Sequence, residues 1–173
     1  MSEQKQNKVK NQLLDPYLLE KFHSLGFKQL TEIQKKAIPI IFQKHDSLVI
    51  APTGSGKTEC SVIPIFTEIK ESKKAGKIKA LYITPLRALN RDVFRRITRY
   101  AQNDGLTIEI RHGDTTQSVR RKISNDPPDV LITTPETLVI LLTQKKMLDA
   151  LSELEWVIID EVQMVPDVFR MLK

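Results

Sequence analysis

The run Leu48-Val49-Ile50-Ala51-Pro52-Thr53-Gly54-Ser55-Gly56-Lys57-Thr58 constrains this chain more than any other stretch. Its first three residues suit a buried strand, and Gly54 and Gly56 permit a tight turn with close approach to a ligand. Lys57-Thr58 then open a helix whose free N–H groups face an anion. Such a turn cradles phosphates through Thr53, Gly54, Ser55 and Gly56, with Lys57 reaching the β/γ-phosphates of a nucleotide and the Thr58 hydroxyl holding Mg2+. The general pattern GxxxxGK[ST] asks for glycine where this chain has Ala51. The competing reading is a glycine-rich strand-to-helix turn without a ligand.

Length and charge narrow the setting. A chain of 173 residues is long enough for a proper core and short for two domains. Residues 1–12 are polar and charged and are expected to be a disordered tail, leaving 13–173 as the folded domain. Lys and Arg number 27 against 21 Asp and Glu, a net charge of +6, which allows a polyanionic partner. The single Cys60 cannot form an internal disulfide and reads as a small buried residue in a reducing compartment. His23, His45 and His112 lie far apart, without the spacing of a zinc site. No apolar run approaches a membrane span, so a cytoplasmic protein without a membrane partner is expected.

Along the chain, short apolar runs alternate with helical patterns. Pro16 to Leu25 has Leu18, Leu19, Phe22 and Leu25 on one side and Gly26 as a stop. Thr31 starts a second helix, where Gln34 can complete a capping box and Ile33, Ala37, Ile38 and Ile41 form the apolar face; Pro39 is expected to bend or end it. The helix from Lys57 carries Val62, Ile63, Phe66 and Ile69, with Pro64 as a kink. Glu71 to Lys79, with four lysines and Gly76, reads as an exposed loop. Strands are expected at 78–84, 107–111, 130–133 and 156–159, after the first one at 48–50. Leu86 to about Ala101 is a long helix with Leu86, Leu89, Val93, Ile97 and Tyr100 on the core side and Arg87, Arg91, Arg95 and Arg99 opposite. Thr134-Pro135 opens a further helix as cap and first turn. Wholly apolar strands separated by helices predict an α/β fold, a mostly parallel sheet with helices on both faces, whose ligands sit beyond the carboxyl ends of the strands.

Those ends carry the chemistry: the glycine loop, Thr84-Pro85, His112-Gly113-Asp114, Thr133-Thr134-Pro135 and Asp160-Glu161. Asp160 can orient Mg2+ together with Thr58, and Glu161 is placed to polarise an attacking water as general base. The bland reading of a lone Asp-Glu pair is a polar strand exit.

The ordered motifs resemble the first RecA-like lobe of a superfamily 2 nucleic-acid helicase of the DEAD/DEAH-box type. Gly26-Phe27 and Thr31-Glu32-Ile33-Gln34 resemble its Q motif, Ala51 to Thr58 motif I with Ala51 now part of the match, and Pro85 to Asn90 motif Ia. Thr134 to Leu138 resembles motif Ib and Asp160-Glu161-Val162-Gln163 motif II. Motifs Ia and Ib and the run Arg111 to Thr115 lean towards Lhr-like helicases.

The resemblance implies an ATP-binding, P-loop lobe of an ATP-dependent DNA or RNA helicase. Lys57 and Glu161 would be its catalytic residues, and Gln34, Thr53 to Thr58 and Asp160 would contact ATP and Mg2+. Gln34 would read adenine, with the capping box as the equal alternative. Pro85, Arg87, Gly113, Thr134 and Pro135 would touch the backbone of single-stranded or duplex nucleic acid, DNA favoured over RNA. Arg91, Arg95 and Arg99 read first as a solvated face, with direct contact to nucleic acid the lesser alternative. Motif II ends in Gln163 where the family usually has His or Asp. Motif III and a second RecA-like lobe do not follow, so the lobe is expected to be truncated after motif II, nearly inactive alone, and able to couple hydrolysis to strand movement only with that lobe. A non-catalytic nucleotide- and nucleic-acid-binding module is the alternative.

Overall fold

A computed structural model describes residues 16–86 and 91–162. The expected tail, the four residues from Arg87 to Asn90, and Gln163 lie outside the described residues. The chain divides between Ile65 and Phe66 into two compact units.

In the first unit, α1 spans Pro16–Ser24 and buries Leu18 and Phe22. Gly26, at φ 96°, lets the chain reverse: Gly26 N–H bonds the His23 carbonyl at 2.9 Å and Phe27 N–H the Phe22 carbonyl at 3.0 Å. This is the paired C-terminal cap that needs a left-handed residue, and the Phe27 ring packs edge-on against Phe22, centroids 5.5 Å apart. Helix α2, Glu32–Phe42, begins at the expected capping box of Thr31 and Gln34 and buries Ala37, Ile38 and Ile41. Pro39 lies inside it, and the helix continues for three more residues. Helix α3, Lys57–Ser72, likewise runs through Pro64, and the division between the units falls within it.

The expected strand at Leu48–Ile50 is not formed. Residues 45–50 have no regular structure, and Leu48 and Ile50 are 73% and 81% exposed. Apolar composition favours a strand only where a neighbour supplies the ladder, and among the described residues no strand pairs with this run.

The second unit holds β1 (Ala80–Ile83), α4 (Arg91–Asn103), β2 (Ile108–Arg111), α5 (Gln117–Asn125), β3 (Val130–Thr133), α6 (Pro135–Leu142), α7 (Lys145–Ala150) and β4 (Trp156–Ile159). Its sheet has the order β2-β3-β1-β4, and every pairing is parallel. The two central strands are buried at each position, which is why they read as unbroken apolar runs. Edge strand β4 is partly open, with Val157 48% exposed. Leu81, Ile83 and Leu131 pack against Ile123 of α5, Leu138 and Leu141 of α6 and Met147 and Ala150 of α7.

Two expectations shift here. Leu86 is 47% exposed rather than in the core; Leu89 lies outside the described residues, and the helix over Arg91–Asn103 buries Ile97, Tyr100 and Ala101. The lysine-rich segment is not a free loop either. Lys74 pairs with Glu153 at 2.6 Å and Lys77 with Asp149 at 3.1 Å, while Lys79, 6% exposed, lies between Glu153 and Glu155 at 3.2 and 3.0 Å. The charges are held because this segment enters β1 beside the entry to β4, where Glu155 N–H bonds the Lys79 carbonyl at 2.9 Å.

Candidate functional site

The glycine loop is clasped by the start of α2. The Thr31 hydroxyl donates to the Ser55 carbonyl at 2.8 Å and accepts the Gln34 N–H at 3.4 Å. The Gln34 carboxamide accepts the Thr31 N–H at 2.9 Å and donates Nε2–H to the Gly56 carbonyl at 3.3 Å. Gln34 is therefore almost fully buried, and the cap and the loop share one side chain. A carboxamide has two lone pairs and two N–H groups, and these bonds use one of each.

Within the loop Gly54 and Gly56 have φ of 78° and 89°, conformations that side-chain-bearing residues rarely adopt. The Lys57 ammonium turns back onto the carbonyls of Ala51 and Pro52, at 2.7 and 2.9 Å. It thus sits over the loop at the start of a 16-residue helix, where the unpaired N–H groups concentrate positive potential. Ser55 Oγ is buried without a hydrogen-bond partner among the described residues, an orphaned donor in a loop otherwise built from backbone. Exposed Thr53 and Gly54 leave the loop open to solvent. A cradle with one cation, a helix start and an unused hydroxyl suits an oxyanion such as a phosphate. Behind it, burial first, then the Glu59 charge, raise the Cys60 thiol to about 11, against the opposing pull of Lys57. This cysteine is inert.

In the second unit, register decides which expected residues meet. Arg111, Thr133, Ile83 and Ile159 form one row across β2, β3, β1 and β4. The residues that follow them therefore leave one edge of the sheet side by side: the Gly113 turn, Thr134-Pro135, Thr84-Pro85 and Asp160-Glu161. Asp160 N–H continues the ladder to the Ile83 carbonyl at 2.9 Å. One carboxylate oxygen of Asp160 accepts the Tyr82 hydroxyl, and the other accepts the Glu161 N–H at 2.9 Å. Glu161 has φ of 52°, a left-handed backbone that is uncommon outside glycine and frequent at working sites.

The nucleic-acid candidates differ in access. Thr134 caps α6, taking the Thr137 N–H at 3.4 Å, and its side chain is nearly fully buried, as is Pro135. The Thr134 hydroxyl is thus taken up in the cap of α6. Gly113 is exposed, with open space where a side chain would point. Its carbonyl is held by Arg120, which also donates to the Thr115 carbonyl at 2.8 Å. Arg91, Arg95 and Arg99 are exposed on α4, and Arg87 lies outside the described residues.

Two residues of these strands are given no role by the sequence motifs, although Arg111 opens the run that leans towards Lhr-like helicases. Tyr82 bonds Asp160 across 78 positions, signalled only by a polar-tipped ring in an aliphatic strand. Arg111, 5% exposed at the end of β2, donates Nη2–H to Gln144 at 3.0 Å, and its Nη1 has no partner among the described residues. Burial and then the nearby Arg120 charge lower its affinity for the proton.

Residues 31–171 match the DEAD/DEAH box helicase family. The ATP-dependent helicase Lhr-Core of Saccharolobus solfataricus is 35% identical over 162 residues, covering 87% of this chain and 18% of that protein. Helicase Lhr of Mycobacterium smegmatis, solved bound to ssDNA and AMP-PNP, is 36% identical with a TM-score of 0.68, over 87% of this chain and 20% of that one. RNA-helicase Prp28 from Chaetomium thermophilum, solved bound to ADP, is 26% identical with a TM-score of 0.75, over 92% and 41%. The chain spans less than a fifth of the length of the Lhr-Core relative. The family match runs from the cap of α2 through the glycine loop and the whole parallel sheet to beyond Glu161, and the chain belongs to the DEAD/DEAH box helicase family.

Proposed function

We propose that this chain is the ATP-binding lobe of an ATP-dependent nucleic-acid helicase that couples hydrolysis to strand movement together with a second RecA-like lobe. The observation that carries the reading is the row across the sheet edge, which sets Gly113, the start of α6, Pro85 and the Asp160-Glu161 pair next to one another. Backbone-reading elements and acidic catalytic candidates on one rigid edge fit an enzyme whose turnover responds to a bound strand. Lys57 and the loop from Thr53 to Thr58 hold the phosphates, and Gln34 links them to the adenine side. Thr58 in the loop and Asp160 after β4 are each the kind of hard oxygen donor that Mg2+ takes, an ion that keeps few protein ligands and draws the rest from phosphates and water. Glu161 is the base that polarises the attacking water.

Single-stranded DNA is favoured over RNA as the partner, on the likeness to the Lhr helicase solved with ssDNA. Among the described residues no helix is long and apolar enough to cross a membrane. The test is ATP turnover by the protein, joined to its second lobe, with and without single-stranded DNA and RNA. Stimulation by DNA above RNA is expected. Nucleotide binding with no turnover under any of these conditions would assign the chain as a non-catalytic binding module.

A further inference from the structure

Tyr82 is the only polar-tipped side chain in β1, and it is 1% exposed. It pairs in register with Ile158 of β4, so its ring lies on the same sheet face as Ile158 and as Asp160 two positions on. Two residues of parallel strand advance about 6.6 Å, the reach of a tyrosine side chain, and the Tyr82 hydroxyl accordingly meets the Asp160 carboxylate. The other carboxylate oxygen is bonded to the Glu161 N–H at 2.9 Å. A carboxylate offers about four lone pairs; with one bond on each oxygen its plane is fixed, and one lone pair per oxygen remains.

Resting on the ATP-site reading above, we propose that Tyr82 is a positioning residue for Mg2+: it orients the Asp160 carboxylate towards the ion that accompanies the nucleoside triphosphate. The phenol comes from a fully buried central strand, so the carboxylate inherits the rigidity of the sheet instead of the mobility of a loop. Outer-shell donors to metal-holding carboxylates act in this way, and losing one costs about 10- to 100-fold in metal affinity. A merely space-filling Tyr82 would affect stability and leave metal binding alone.

The experiment measures affinity for a fluorescent ATP analogue with Mg2+ and with EDTA, and reports their ratio for the wild type, Tyr82→Phe, Asp160→Asn and the double variant. Tyr82→Phe is expected to lower the ratio about tenfold or more. In the Asp160→Asn background the same change is expected to have no further effect, because the two residues act as a unit. An unchanged ratio in Tyr82→Phe, or an equal drop in the Asp160→Asn background, overturns the proposal while leaving the ATP site standing. A wild type that binds the analogue in neither condition removes the ATP-site reading and the proposal with it, whereas one that binds equally in both overturns the proposal alone. If Tyr82→Phe fails to fold, 3-fluorotyrosine at position 82 keeps the packing, and its fluorine resonance is expected to shift when Mg2+ is added with AMP-PNP. A resonance that ignores the metal overturns the proposal.

Discussion

Gln34 and Gly56 are pressed together so closely that a Cβ on Gly56 would lie 2.3 Å from Gln34 Nε2. The same amide donates to the Gly56 carbonyl at 3.3 Å, and the glycine has φ of 89°. Gly56→Ala therefore meets two obstacles, a strained backbone and a clash with the α2 cap. The strain alone is worth about 1–3 kcal/mol. Urea unfolding of Gly56→Ala, Gln34→Ala and the double variant separates them. Part of the Gly56→Ala penalty is expected to vanish when Gln34 is already absent, and the backbone part to persist. Strict additivity would show that the amide simply moves aside.

Lys57 is held by two carbonyls of its own loop, so a phosphate must replace those bonds with stronger ones. Charge-assisted hydrogen bonds contribute about 1.5–3 kcal/mol each, roughly 10- to 100-fold in affinity. Lys57→Ala is expected to lose at least that factor for ATP in titration calorimetry while still unfolding in one cooperative urea transition, at a midpoint lowered by the two lost loop bonds. Equal affinity in the variant would show that the loop holds no phosphate.

Local rules make much of the fold legible in the sequence itself. The limits of β3 and β4 and the Thr134-Pro135 start of α6 follow from short apolar runs and a cap-then-proline pair, signals carried by adjacent residues. The convergence of strand ends on one edge also follows, because parallel strands leave no other choice. The failures have a common cause in partners distant along the chain. Leu48–Ile50 has strand composition, yet whether it forms depends on a ladder the run itself does not contain. Helix α7, of six residues, is too short to show a period. Tyr82 can be matched to Asp160 only once the order β2-β3-β1-β4 makes β1 and β4 neighbours. Gln34 is legible as a cap, but its clasp on the loop is not, since it spans 22 positions.

Cys60 gives a measurement of the ground behind the loop. With its thiol raised from the ordinary value near 9 to about 11, the thiolate share at pH 8 falls about hundredfold, and burial slows a reagent further. Reaction with a disulfide reagent is expected to be at least that much slower in the native protein than in urea. The sign for stability follows. The folded state favours the protonated thiol, so this contribution is whole below pH 9 and is lost as pH rises from 9 through 11. Equal rates in the native and unfolded states would place Cys60 at the surface.

Glu161 combines a candidate catalytic carboxylate with a left-handed backbone, φ 52°. The backbone disfavours any residue with a Cβ by roughly 1–2 kcal/mol, whatever its side chain does. Glu161→Ala removes the carboxylate and keeps that cost, whereas Glu161→Gly removes both. Gly gives back part of the gain through the greater freedom of the unfolded chain, about 0.5–1 kcal/mol. The glycine variant is thus expected to unfold at a higher urea concentration than the alanine variant, and neither is expected to turn over ATP. Glu161→Gln, with the original shape and no base, is expected to bind nucleotide as the wild type does and to hydrolyse none. A glycine variant no more stable than alanine would mean that residue 161 relaxes out of the left-handed region at no cost. A glutamine variant with undiminished turnover would move the base to another side chain.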